Sequence, residues 1–321
     1  MNKKIISIVF AALAVPVLFF SCDDVEPPYT MQADTVGIPV NDSACVFSAA
    51  GPVTYRKVLI EDYTGHLCGY CPSAAAIIAS TLTPLYGDTL IALGVHASPF
   101  HQFTETCPPA PYPSGAYSPG YIEDFRTVAS EAWLSFFAIA SNPKGMVSRI
   151  GYPTSTHVKA PSAWALACSS IIAQPAVAGI QIINNYDSVS GNLTTCIKTT
   201  YLEAFSGTYY LSVLLMEDSI KAWQYDYNLP NTAPLYYNDT NYIHRHVLRG
   251  AINSSFGVQL NTAPVAAGDT VRNSYAVNLQ SLPSAMNTTN PVINVSRCSV
   301  VAFVYDNTTK EILQVEEAEV E

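Results

Sequence analysis

"VLIEDYTGHLCGYCPSAAAIIASTLTPLYG" occupies Val58 to Gly87, and its centre is two cysteines two residues apart, Cys68 and Cys71, with a proline next. The run before them, Lys57 to Tyr63, has a near-continuous strand pattern led by Val58-Leu59-Ile60, which suits the buried middle of a sheet. The run after them, Ser73 to Gly87, is rich in alanine and reads as a helix with Ile77, Ile78 and Leu82 near one face. "TLIALGVHA", Thr89 to Ala97, is a second buried strand. Strand, helix and strand in this order predict a βαβ unit with the cysteine pair at the strand-to-helix turn.

Such a pair has three chemical readings. A structural zinc site needs four ligands; only one close pair is present, so His66 and then His96 or His101 would have to complete it. A static disulfide over two intervening residues closes a very small loop and constrains the unfolded chain little. A redox dithiol fits best. It places Cys68 at a helix N-terminus, where unpaired N–H groups and the positive end of the dipole stabilise a thiolate. Pro72 is tolerated in the first turn because its missing N–H would have had no partner there. This spacing beside a βαβ pattern is the thioredoxin-like signal. In that reading Cys68 attacks and Cys71 resolves the mixed disulfide. Asp62, at the end of the strand, takes the proton from Cys71, with Glu61 as its rival if the register differs. Asn142–Pro143 stands between a helix and a strand, where a cis-proline would face the dithiol. Tyr70, His66 and Asn142 would border the substrate groove.

Beyond this unit the chain changes character twice. Residues 98–120, "SPFHQFTETCPPAPYPSGAYSPG", hold too many prolines for a helix and form an insertion long enough to be a lid. Helices are expected over Tyr121–Ala140 and Pro161–Ala173, with a strand from Gly145. After Gln174, short apolar alternations recur around Val177–Ile183, Tyr209–Met216, Tyr242–Leu248, Asp269–Leu279, Cys298–Tyr305 and Glu311–Val315, with "YDNTTKE" as a hairpin loop. The expected fold is therefore α/β plus all-β: a thioredoxin-like domain over 55–174, then an antiparallel, Ig-like β-sandwich over 175–321. A length of about 300 residues after the leader agrees with two domains.

The first 54 residues concern location. Lys3 and Lys4 precede an apolar run from Ile5 to Phe20, and Ser21-Cys22 follows: a secretory signal over 1–21 of the kind cut before a cysteine that then carries lipid. Cys22 is the expected lipidation site. Residues 22–54, broken by Pro27, Pro28, Gly37, Pro39, Gly51 and Pro52, read as a tether. The whole chain has a formal charge of −10; without Lys3 and Lys4 the remaining 13 basic residues face 25 acidic ones, for −12. That balance excludes a nucleic-acid partner, and the membrane would be held through lipid on Cys22, not through charge.

Five further cysteines remain: Cys45, Cys107, Cys168, Cys196 and Cys298. Cys196 and Cys298 lie in strand-like segments of the second half and are the first choice for a structural disulfide. Cys45 with Cys107 is a weaker choice, and Cys168 reads as a buried thiol on an apolar helix. "HRH" places His244 and His246 on one face of a strand, yet no third ligand accompanies them, so no metal and no cofactor is expected. Asp-(Ser/Thr)-aliphatic or Asp-(Ser/Thr)-Ala triplets resemble those that carry O-linked sugars in envelope proteins of Gram-negative anaerobes, and that resemblance implies Thr35 and Ser43 as O-glycosylation sites in the tether, with Thr89, Ser188, Ser219 and Thr270 in the same pattern. Asp-Ser and Asp-Thr also make ordinary turns.

Three stretches, "VLIEDYTGHLCGYCP", "NPKGMVSRI" and "YIHRHVLRGAI", in this order resemble the outer-membrane-protein-twenty-eight family of lipoproteins from Gram-negative anaerobes. The resemblance runs from about Arg56 to the C-terminus. It implies a thioredoxin-like domain joined to a β-rich one and an outer-membrane, lipid-anchored location, facing either the periplasm or the cell exterior. It implies two functions. One is thiol–disulfide exchange on protein or peptide clients, with a "CGYC" pair resembling that of disulfide isomerases. The other is non-enzymatic adhesion or reception through the β-rich part, with the thioredoxin fold as scaffold.

Overall fold

The computed structural model describes residues 37–41, 45–48, 51–100, 104, 110–111, 117–118, 120–232, 236–262, 264–279 and 292–320. The signal, Cys22, Thr35, Ser43 and Cys107 lie outside these residues, as does most of the proline-rich insertion.

The predicted βαβ unit is present. After a short strand β1 (Ile38–Pro39), β2 (Val58–Thr64) and β3 (Leu90–His96) pair in parallel, in register from Val58 opposite Leu90 to Thr64 opposite His96. The helical run between them is α1 (Cys71–Ile77), a π-helical turn (Ile78–Leu82) and α2 (Thr83–Tyr86). Two small strands of the insertion, β4 (Ala110–Pro111) and β5 (Tyr117–Ser118), pair with each other. Helix α3 covers only Val128–Phe136, shorter than the expected 121–140. Its start is set by Thr127, whose hydroxyl accepts from the Ser130 N–H while the Ser130 hydroxyl accepts from the Thr127 N–H. Upstream, Asp124 folds back on the backbone and guanidinium of Arg126, which competes with helix. Strands β6 (Lys144–Val147) and β7 (Val158–Lys159) follow, then α4 (Trp164–Ile172).

The second half supplies β8 (Ala178–Asp187), β9 (Asn192–Tyr201), β10 (Tyr209–Glu217), β11 (Ile220–Tyr225), β12 (Asn238–His244), β13 (Val247–Ala251), β14 (Val258–Gln259), β15 (Thr270–Asn278), β16 (Cys298–Asp306) and β17 (Ile312–Glu319). The fold is thus mixed sheet with few helices, α/β in its first half and β-rich in its second.

The expected division near residue 175 is not a break between sheets. One nine-stranded sheet runs in the order β17-β16-β10-β13-β3-β2-β6-β7, with β14 added beside β10, and residues 33–321 form one compact unit. The junction is a parallel contact of β13 with β3, at Val247 opposite Gly94. The Gly94 N–H donates to the His246 carbonyl at 2.7 Å. A Cβ on Gly94 would lie 3.1 Å from the Arg245 carbonyl oxygen, so the absence of a side chain permits this approach.

Strand alternation assigns the sheet's two faces. Leu59, Tyr63, Leu93 and Val95 point to the face covered by α3, where they meet Trp133, Phe137 and, from the second half, Leu214 and Phe303. Val58, Ile60, Ala92 and Val147 point the other way, onto α1 and α4. On that same side, a four-stranded sheet ordered β1-β15-β9-β8 packs over the second half, with Leu193, Ile197 and Val277 against Val213, Val300 and Val304.

This layering corrects the expected disulfide. Cys196 bonds Cys45, and Cys298 is a free, buried thiol. On β9 it is Leu193 and Ile197 that face the core, so Cys196 faces away from it, toward the segment holding Cys45; Cys298 faces into the core from the other sheet. Cys168 is a buried free thiol. "HRH" is corrected too: β12 ends at His244, and His246 stands outside the strand with φ of 55°, so the two imidazoles do not share a strand face.

Candidate functional site

Strand β2 ends at Thr64, and the chain makes two successive turns before α1. The Cys68 N–H donates to the Gly65 carbonyl and the Cys71 N–H to the Cys68 carbonyl. Cys68 and Cys71 are joined as a disulfide with their Cα atoms 5.4 Å apart. The first helical residue is Cys71, with Tyr70 as N-cap, so Cys68 lies one turn ahead of the helix and not at its first position.

The adjacent carboxylates Glu61 and Asp62 have opposite surroundings because strand side chains alternate. Glu61 faces the α3 side and forms a buried ion pair with Arg149, at 2.6 Å to Nη2 and 2.9 Å to Nε. Arg149 is enclosed by the rings of Phe137, Phe303, Trp133 and Tyr305 at 4.7 to 5.6 Å. Asp62 faces the α1 side. It is 5% exposed, its Oδ1 is buried without a hydrogen-bond partner, and burial pushes its carboxyl up to about 7. The register therefore separates the two candidates: Glu61 is committed to Arg149, and Asp62 is the carboxyl on the dithiol's helix side.

The Asn142–Pro143 bond is cis. Strand β6 pairs antiparallel with β2, Lys144 opposite Tyr63, which sets Pro143 beside Thr64 at the strand end from which the dithiol loop leaves. Asn142 donates from Nδ2 to the Ala97 carbonyl at 2.9 Å, tying the ends of β3 and β6 together. Asp62, Pro143, Asn142 and the Cys68–Cys71 loop are thus gathered at one end of the β2–β3–β6 unit.

The side chains around the loop were only partly legible in the sequence. A redox reading expects an attacking thiol open to solvent, yet Cys68 is 2% exposed and Cys71 1%. The cover comes from far along the chain. From the end of β11, the Tyr225 N–H donates to the His66 carbonyl at 2.7 Å and the Tyr227 N–H to the Gly69 carbonyl at 3.0 Å. Gln224 donates from one amide nitrogen toward the carbonyls of Cys68, Gly65 and Tyr225 at 3.1, 3.3 and 2.9 Å. Tyr227 lies across Gly69, where a Cβ would fall 2.5 Å from its ring, and meets the Tyr70 ring at 4.8 Å. Tyr70 itself is 66% exposed. "AWQYDYN", Ala222 to Asn228, carried an aromatic density that hinted at a contact surface, but nothing local named its target.

His66 is buried and does not border an open groove; its ring lies 5.4 Å from Tyr121 and 6.3 Å from Phe125. His96 and His244 pack on the same Phe125 at 4.7 and 5.0 Å. Desolvation holds both below the ordinary histidine range, His244 at about 3, so both are neutral near pH 7.

The sequence model of the family described as Outer membrane protein Omp28 matches residues 130–321, a span that starts after the dithiol. No curated protein matches the chain. Among solved structures, HBP35 of Porphyromonas gingivalis superposes with a TM-score of 0.54 at 16% identity, over 84% of this chain and 76% of that one. At that identity the likeness speaks for the fold alone. A domain of the outer membrane lipoprotein Omp28 from Porphyromonas gingivalis gives 0.27 at 22% identity, over 46% of this chain and 89% of that one. A FixG-related protein from Vibrio parahaemolyticus gives 0.21 at 11%, over 45% and 97%. Neither of these two bears on the fold. Among the described residues no helix is long and apolar enough to cross a membrane. The family match covers more than half of the chain: it belongs to the family of the outer membrane protein Omp28, and its place is the outer membrane.

Proposed function

We propose that this protein is a lipoprotein, anchored through lipid on Cys22, and carries a thioredoxin-like thiol–disulfide exchange centre that is covered at rest. The observation that supports it is the convergence at one sheet end of the Cys68–Cys71 disulfide, the Pro143 turn and the buried Asp62 carboxyl, whose Oδ1 has no hydrogen-bond partner. In the reduced centre the Cys68 thiolate attacks a client disulfide, forming a mixed disulfide and releasing one client thiolate. The Cys71 thiol, giving its proton to Asp62, then attacks the Cys68 sulfur. The second client thiolate leaves and the Cys68–Cys71 disulfide re-forms, so that the client gains two electrons and the centre loses two. A carboxyl poised near 7 suits that proton transfer. Protein clients reach Cys68 once the Gln224–Tyr227 segment lifts.

A second reading is favoured by one observation, the near-complete burial of both sulfurs. In it the protein is a non-enzymatic surface binder, recognition lies in the β-rich half with its two packed sheets, and the thioredoxin-like part is scaffold.

A Cys71→Ser trap in the native cell separates the two. Exchange predicts client proteins held on Cys68 through mixed disulfides that release on reduction. A clean lane, with reduced Cys68 alkylating no faster than free cysteine near neutral pH, removes the exchange reading and leaves the binder.

A further inference from the structure

A groove of about 430 Å³ runs between α1 and the β11–β12 hairpin, with β3 as its floor. That is within the size range of small-molecule sites, roughly 300–1,000 Å³. Its walls are apolar: Pro72, Ala75 and Ile78 on one side, Ala92 on the floor and Ile243 opposite. Alanine at 75, 76 and 79 keeps the helix side shallow, which is what leaves the space. The one strongly polar group at depth is Asp62, whose Oδ1 has no donor.

A buried acceptor without a donor is costly, and a carboxyl among apolar walls more so. No cation among the described residues relieves it. Arg245 and His246, at the groove's edge, are turned to Asp218 at 3.6 and 3.7 Å, and Arg149 is committed to Glu61. The other titratable groups facing the groove are the Tyr242 hydroxyl and the Asp226 carboxylate. Asp226 adds negative potential at the rim, in a chain of net charge −10. Charge complementarity therefore selects the occupant.

We propose that this groove binds a small apolar molecule bearing one primary ammonium, which pairs with Asp62 while its apolar body lies on Ala75, Ile78 and Ala92. The site does not depend on the exchange reading, since neither sulfur lines it.

The test is calorimetric or NMR titration of the full chain with 2-phenylethylamine, and with 2-phenylethanol as the uncharged counterpart. The expected result is saturable binding of the amine, at least tenfold tighter than the alcohol. Asp62→Asn should abolish that preference while leaving weak alcohol binding in place. Ala75→Leu, which fills the groove, should weaken both ligands in a chain whose thermal unfolding shows it folded. Cys68→Ser/Cys71→Ser should bind the amine as the parent does, which keeps failure of this site distinct from failure of the dithiol chemistry. Equal affinity for amine and alcohol, an unchanged amine affinity in Asp62→Asn, or no saturation at millimolar amine would each overturn the proposal.

Discussion

Gln224 holds Cys68 from across 156 residues of chain, its side-chain amide donating to the Cys68 carbonyl at 3.1 Å while it also reaches Gly65 and Tyr225. One side chain thus bridges the strand that covers the dithiol and the loop that carries it. Net hydrogen-bond contributions are about 1 kcal/mol each. Removing this set should shift the covered arrangement toward an open one by about 1–2 kcal/mol, or roughly tenfold. Gln224→Ala should therefore raise the rate at which a water-soluble phosphine reduces Cys68–Cys71 by about tenfold. Gly69→Ala, which sets a methyl against the Tyr227 ring, should act in the same direction. Unchanged reduction rates in both variants would show that this segment does not limit access.

The Asp62 carboxyl makes folding depend on pH in a defined direction. In the folded chain it keeps its proton to about 7, whereas an unfolded aspartic acid loses it near 3.9. Well below pH 4 both states are protonated and the group is neutral in effect; as pH rises from about 4 to about 7 the unfolded state ionises while the native state keeps its proton, so stability falls, and above 7 the loss is complete and constant. Asp62→Asn should match the parent near pH 4 and exceed it at pH 8 by about 4 kcal/mol as an order of magnitude. Urea unfolding at the two pH values checks this; a difference that does not widen with pH would contradict the carboxyl's placement.

Glu61 and Arg149 form a pair that is expensive to break from one side. Arg149→Met leaves the Glu61 carboxylate buried with no partner and should cost about 3–5 kcal/mol by chemical denaturation. Glu61→Leu combined with Arg149→Met should recover much of that loss, because no charge remains in the core. Equal instability of single and double variants would mean that packing around Arg149, not charge, sets the cost.

The Cys45–Cys196 bond closes a loop of 151 residues and should stabilise the fold by about 2–4 kcal/mol. A Cys45→Ala/Cys196→Ala chain should unfold at correspondingly lower denaturant, with Cys68–Cys71 intact by mass. A double variant as stable as the parent would show that the cross-link adds nothing to the fold.

Cys168 and Cys298 should resist alkylation in the native chain, since burial pushes both thiols up to about 12. Labelling without denaturant should leave both unmodified by mass, and rapid modification at neutral pH would contradict their burial.

Local pattern was enough to read the βαβ unit, the dithiol at its turn, the proline facing that end of the sheet, and most strands of the second half. Each is written in short-range terms: apolar runs, turn residues and the spacing of two cysteines. Strand β11 and the break between β12 and β13 were not legible, because Ala222 to Asn228 and His244 to Val247 take their conformations from partners far away in sequence. The Cys196 partner was missed for a related reason. Which face of β9 its side chain occupies follows from the sheet packed against that strand, and only the folded arrangement supplies that.

Residue order alone places two sulfurs where a buried strand gives way to a helix, with a carboxylate close behind on the strand. That Glu61 is consumed by Arg149 while Asp62 Oδ1 is left without a donor, and that a distant hairpin closes over the sulfurs, comes from the folded arrangement alone. The physical reason is that bonding between neighbours along the chain is set by residue type and order. Exposure, charge pairing and protonation are set by whatever the rest of the fold brings against a group, and here that comes from more than 80 residues away for Arg149 and more than 150 for Gln224.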